Sequence, residues 1–159
     1  MSPTGFFDLK TPVDLREKLR HDFAELKATP LDTYRAFNFF VTAEHLLDWH
    51  LPGSRNHGAR RRARETEVLL QVTSHIANGA KHFITEAAHH KSVADTRRRS
   101  EFSGALGTVY FGGSYFGGGV QYTSLVIELD GDARSRFGQF LTVVDLAERV
   151  LGYWDGQAL

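Results

Sequence analysis

The sequence predicts a mainly α protein with a β insert: an antiparallel bundle of four helices plus a small two- or three-stranded antiparallel sheet. Three observations predict it. Apolar residues recur at helical spacing over 13–28, 31–51, 65–86 and 133–154. Residues 104–119 hold seven glycines interleaved with Tyr110, Phe111, Tyr115 and Phe116, a composition a helix does not tolerate. Residues 120–129 then alternate, with Val120, Tyr122, Ser124, Val126 and Glu128 on one face and Leu125, Ile127 and Leu129 among those on the other. A chain of 159 residues suits one domain, and no repeat or linker divides it.

The elements follow in order. Phe6, Phe7 and Leu9 are expected to pin an irregular N-terminal arm. Thr11 and Pro12 open the first helix, in which Leu15, Leu19, Phe23 and Leu26 share a stripe. The second helix ends at Pro52-Gly53 and offers Tyr34, Phe37, Phe40, Val41, Leu47 and Leu51 to the core. Residues 54–64 form a polar connection holding five arginines, Arg55, Arg60, Arg61, Arg62 and Arg64, with helix open as a reading of its C-terminal part. The third helix presents Leu69, Val72, Ile76, Ala80 and Phe83. Gly79 lies inside it at a cost of about 1 kcal/mol relative to alanine, which points to close packing or a kink. The sheet is expected from residues 92–129, with the glycine-rich stretch as its hairpin tip and Asp130-Gly131-Asp132 as a turn. Phe137, Phe140, Leu141, Val144, Ala147, Leu151 and Trp154 line the last helix, 133–154.

Composition narrows the function. Lys+Arg and Asp+Glu are both 19, so no global basic excess marks a nucleic-acid binder, and any such contact rests on local clusters. The absence of cysteine excludes disulfides and thiolate metal sites and suits a reducing compartment. Met1–Lys10 lacks the basic and apolar regions of a signal peptide, and no apolar run is long enough to span a bilayer, so a cytoplasmic location is expected.

Four polar constellations stand out. Glu44, His45 and Asp48 lie on one side of the second helix, where imidazole and carboxylates on neighbouring turns suit a metal; a polar helix end bonded to arginines is the plainer reading. On the third helix, Asn78 and His82 share a stripe with His75, beside Lys81, which offers a general base and a cation for an anionic group. Helix geometry separates these two sets by roughly 15–20 Å and instead brings His21, Asn38 and His75 level, as an internal polar cluster. Arg60-Arg61-Arg62 and Arg97-Arg98-Arg99 could bind phosphate, with Tyr115 and Phe116 on the glycine-rich hairpin stacking on bases or anchoring a protein partner. No dinucleotide, P-loop, nucleophile-elbow or zinc-protease signature is present, and no cofactor is expected.

The run Ile76-Ala77-Asn78-Gly79-Ala80-Lys81-His82-Phe83, after a helix ending Ala43-Glu44-His45-Leu46-Leu47-Asp48-Trp49, resembles small bacterial helical proteins of the HEPN-like kind over about a third of the chain. In their ribonuclease motif an arginine and a polar residue precede a histidine. Asn78 and His82 have that spacing, and Ala77 stands at the arginine position, with Lys81 the nearby cation. The resemblance implies a homodimer with His82 and Lys81 near its interface. Three readings stay open: a non-enzymatic HEPN-like interaction module, which ranks first; a metal-independent ribonuclease with His82 as base and Lys81 and Asn78 holding phosphate; and a histidine–carboxylate metal site.

Overall fold

The computed structural model describes residues 5–82, 91–103 and 120–158. Mainly helical, it carries a three-stranded antiparallel sheet. The glycine-rich stretch with Tyr115 and Phe116, and the expected helix end at 83–86, lie outside the described residues.

α1 (Pro12–Ala28) opens on a capping box. The Asp14 N–H donates to Thr11 Oγ1 at 3.2 Å, and the Asp14 carboxylate accepts from the Thr11 N–H at 2.8 Å. The Lys10 amide, then the Thr11 hydroxyl and amide, hold the Asp14 carboxyl below its ordinary pKa. α2 (Thr33–His50) is capped by Asp32, which accepts from the amides of Tyr34 and Arg35 at 2.8 and 3.3 Å. Its far end is closed by Arg60, whose Nη1 donates to the carbonyls of Leu51 and Gly53 at 2.5 and 2.9 Å.

The connection after α2 is helical. α3 (His57–Thr66) contains the first arginine cluster, and α4 (Val68–His82) follows after one extended residue, Glu67, at φ −108° and ψ 111°. The expected single helix from residue 65 is therefore two helices. Glu67 makes the corner and its carboxylate accepts from the Leu69 amide at 3.1 Å, capping the new helix.

β1 (Val93–Ser103) and β2 (Val120–Leu129) pair antiparallel, with Arg98 opposite Leu125. The third strand is not drawn from 92–129, and the last helix does not run through 133–154. Instead α5 (Gly131–Phe137) ends at Gly138, where φ is +90°, a conformation that favours glycine. β3 (Phe140–Thr142) then pairs with β2, Leu141 opposite Ile127. Thr142 caps α6 (Val143–Asp155), its Oγ1 accepting from the Asp145 amide at 3.1 Å.

α1 packs on α2 and α6, and α4 packs on α2, α3 and α6. Leu19, Leu26, Phe39, Leu46, Leu70, Val150 and Trp154 fill the space between them, and Ile127, Leu129 and Leu141 close it from the sheet. β2 is buried on both faces at Val126 and Ile127, as its alternation suggested. Three expected contacts fail. Phe6 and Phe7 are exposed, and within the arm Leu9 packs against the core. Tyr34 and Phe37 face outward, 83% and 47% exposed, because Ala36, Phe39, Phe40 and Ala43 take the buried side of α2. Ala80 is exposed, the inner side of α4 being Leu70, Val72, Thr73, Ser74 and Ala77. Among the described residues no helix is long and apolar enough to cross a membrane.

Candidate functional site

α4 is the wall between two recesses of different chemistry. The first is a polar cleft of about 550 Å³ beside α3, lined by His57, Arg61, Arg64, Glu65, Gln71 and Ser74. At its back lies Glu44 of α2. Arg64 donates to Glu44 Oε1 from Nη2 at 2.6 Å and from Nε at 3.0 Å, and Ser74 Oγ donates to the same oxygen at 3.3 Å. Asn78 Nδ2 donates to Ser74 Oγ at 3.2 Å and to the Ser74 carbonyl at 2.8 Å. Asp48 joins through Arg60 Nε at 3.0 Å and Arg64 at 3.7 Å. Burial pushes the Glu44 carboxyl above its ordinary pKa; Arg64 pulls it back part of the way, Asp48 pushes with burial, and Ser74 pulls with Arg64. A displaced pKa in a cleft is a mark of functional sites, and structural ion-pair networks share it. Here Glu44, Arg64, Ser74 and Asn78 form one connected chain of donors and acceptors.

The second recess is a groove of about 630 Å³ between α2, the later half of α4 and the sheet. Phe37, Phe40, Ile76, Leu125 and Ile127 give it apolar walls. Arg98 stands at its margin and reaches across to the turn between α1 and α2, where its Nη2 donates to the Leu31 carbonyl at 2.8 Å. Among the described residues no carboxylate lies within salt-bridge distance of this guanidinium. Its neighbours differ. Arg97 pairs with Asp95 and Glu128 at 3.2 Å each, Arg99 pairs with Glu101 at 2.6 Å, and both guanidinium groups lie over the Phe140 ring on the opposite face of the ribbon. His75 lines the groove with Nδ1 accepting from the Val93 amide at 3.1 Å, which places the proton of a neutral ring on Nε2. Gly79 also lines it. A Cβ added there meets no described atom within 4 Å.

The residues singled out in the sequence are distributed over these recesses and the surface. Asn78 sits on the cleft side, engaged by Ser74, and Lys81 is exposed near the end of α4. His82 is the last residue of α4, and its side chain is outside the described ones. The internal cluster of His21, Asn38 and His75 does not form: His21 and Asn38 are exposed, because Asp22 of α1 and Phe39 of α2, one residue further along, turn inward. Among the described residues no three histidines, aspartates or glutamates gather to hold a metal ion. His45 is exposed, while Glu44 and Asp48 are bound by arginines. In the first arginine cluster Arg60 and Arg64 serve α2, Arg61 pairs with Glu65 at 2.7 Å, and Arg62 is exposed.

Sequence reasoning missed the buried polar cluster of α1 and α2. Lys18 Nζ donates to Asp22 Oδ2 at 2.5 Å and to Thr42 Oγ1 at 2.8 Å, and the Thr42 hydroxyl donates to Asp22 at 2.6 Å. The spacing of four between Lys18 and Asp22 was the available signal; the helix crossing that supplies Thr42 was not. It missed the groove too, whose walls come from segments more than eighty residues apart. Chemically, the cleft can hold a carboxyl in a low-dielectric site against an arginine. The groove can receive an apolar body and one negative charge. No family model matches the chain, nor does any curated protein or solved structure.

Proposed function

We propose that the protein is a non-enzymatic interaction module of the HEPN-like kind, its helices forming an antiparallel bundle and its contact surface lying at the corner of α1, α2 and the sheet. One observation carries the reading: Tyr34 and Phe37, a turn apart on α2, are exposed together beside Leu31, while Glu44, Arg64, Ser74 and Asn78 at the cleft bond one another. Exposed aromatics of this kind anchor protein interfaces. The partner is therefore another protein. The other arginines fit this account as well, since most of them neutralise carboxylates of the same chain.

Two measurements test it. A photo-crosslinking residue at Tyr34 should give discrete protein adducts in cells, whereas the same residue at exposed Glu148 should not; identical patterns at the two positions reject the surface. Purified protein should leave RNA intact, and His82→Ala and Lys81→Ala should change neither that result nor the crosslinks. RNA cleavage lost in His82→Ala would replace this reading with the ribonuclease one, and a stoichiometric metal in untagged protein would replace it with a metal site.

A further inference from the structure

We propose that the groove between α2, α4 and β1 is a binding site for a small amphipathic organic anion: an acyl or aromatic body ending in one carboxylate or sulfonate. The inference deepens the reading as a binding module by naming what the recess beside its contact surface takes. At about 630 Å³ the groove has the size of a small-molecule site, and it has the usual make-up, apolar walls with few polar groups. Phe37 and Phe40 on one side and Ile76 and Ile127 on the others would strip water from an acyl chain or ring.

Charge selects the other end of the ligand. Arg98 is a groove residue held in place by the Leu31 carbonyl, and one neutral acceptor leaves most of its five donors for an anion. Among the described residues the one carboxylate on the groove, Asp95, is taken by Arg97 and by the Thr96 amide at 2.8 Å, so it does not compete. A single unmatched cation among the described residues of the groove suits a monoanionic head group and is too little for a nucleic-acid backbone. Gly79 adds an independent observation. A glycine within a helix weakens it, and here no described neighbour uses the space its missing side chain leaves; that space belongs to the groove.

Calorimetric titration with dodecanoate, dodecanol and inorganic phosphate tests the site. Wild-type protein should bind dodecanoate saturably below its micellar range and phosphate alone not measurably. Arg98→Gln should weaken dodecanoate about ten-fold or more, the loss expected for a charge-assisted hydrogen bond, and leave dodecanol unchanged. Gly79→Leu should abolish both while keeping the wild-type helical spectrum; if it does not fold, Ala80→Trp, which fills the groove from its exposed edge, takes its place. Failure of wild type to bind dodecanoate, equal binding by Arg98→Gln, or binding of phosphate as tight as that of dodecanoate overturns the proposal. Tyr34 does not line the groove, so Tyr34→Ala should bind dodecanoate normally. Loss of the crosslinks at Tyr34 and loss of ligand binding are thus separate results.

Discussion

The two sides of α4 solve opposite problems. Toward α3, a largely buried carboxylate, an arginine, a serine and an amide bond one another. Toward β1, the same helix presents Ile76, Gly79 and Ala80 to an apolar space whose margin carries an arginine with a single backbone acceptor. A polar chain bonded within the fold has less left for a ligand, because each atom engaged internally must be released before it can bind elsewhere. An open apolar recess has the reverse balance. Polar residues that look chemical in a sequence can therefore be architecture, and a glycine that looks structural can mark a site.

Breaking the closed side should give the largest effect. Arg64→Met strands Glu44, whose side chain is 15% exposed, and should cost about 3 kcal/mol in denaturant unfolding at pH 7. The loss should shrink at pH 5, because Glu44 can then take up a proton. The sign for wild type follows from the raised carboxyl. Between the ordinary glutamate value of about 4.3 and the raised folded value, the native state holds a proton that the unfolded chain has released. The contribution of Glu44 to stability is present below that window and is lost as pH rises through it. Glu44→Gln should remove this slope from the pH–stability profile.

Two threonines sharpen the contrast between closed and open polar groups. Thr42 is buried and shares its hydroxyl with Lys18 and Asp22; Thr42→Val should cost about 1–2 kcal/mol. Thr73 is equally buried, and its hydroxyl has no partner among the described residues. Thr73→Val, which keeps the shape and drops the orphan group, should be neutral or stabilise by up to about 1 kcal/mol. Equal losses in the two variants would show that Thr73 is satisfied in solution.

The smallest effects concern two glycines with no described atom near an added Cβ. Gly138 has φ +90°, so Gly138→Ala should destabilise by about 1 kcal/mol through backbone strain. Gly79 is helical, and Gly79→Ala should raise stability by about 0.5–1 kcal/mol. Thermal melts decide both, and a destabilised Gly79→Ala would mean that the groove wall tolerates no side chain.

The sequence made the helical class and the β1–β2 ribbon legible because both are written as local periodicity. Thr11-Pro12 and Asp32 marked where α1 and α2 begin for the same reason. What it hid was set by tertiary partners. The arginine-rich connection reads as a polar link with helix open only for its C-terminal part, yet Arg60 and Arg64 have α2 carboxylates and carbonyls to satisfy, and the segment from His57 folds as α3 against them. Phe137, Phe140 and Leu141 fit a helical stripe, and a strand edge offered by β2 wins Phe140–Thr142 instead. Tyr34 and Phe37 fit the apolar spacing of α2 as well as Ala36 and Phe40 do, so only the position of α1 and α4 decides which side is buried. The groove was not legible because α2, α4 and two strands contribute to it.

β3 is three residues long, yet it joins parts of the molecule that would otherwise open independently. Leu141 pairs with Ile127, the Leu129 amide donates to the Gln139 carbonyl at 2.8 Å, and the next residue, Thr142, caps α6. The inner end of β2 cannot detach without freeing the first turn of α6, which carries Leu146, Val150 and Trp154 into the core. In amide hydrogen exchange the two segments should therefore behave as one cooperative unit, and the outer part of the ribbon, beyond the reach of β3, should exchange faster and independently.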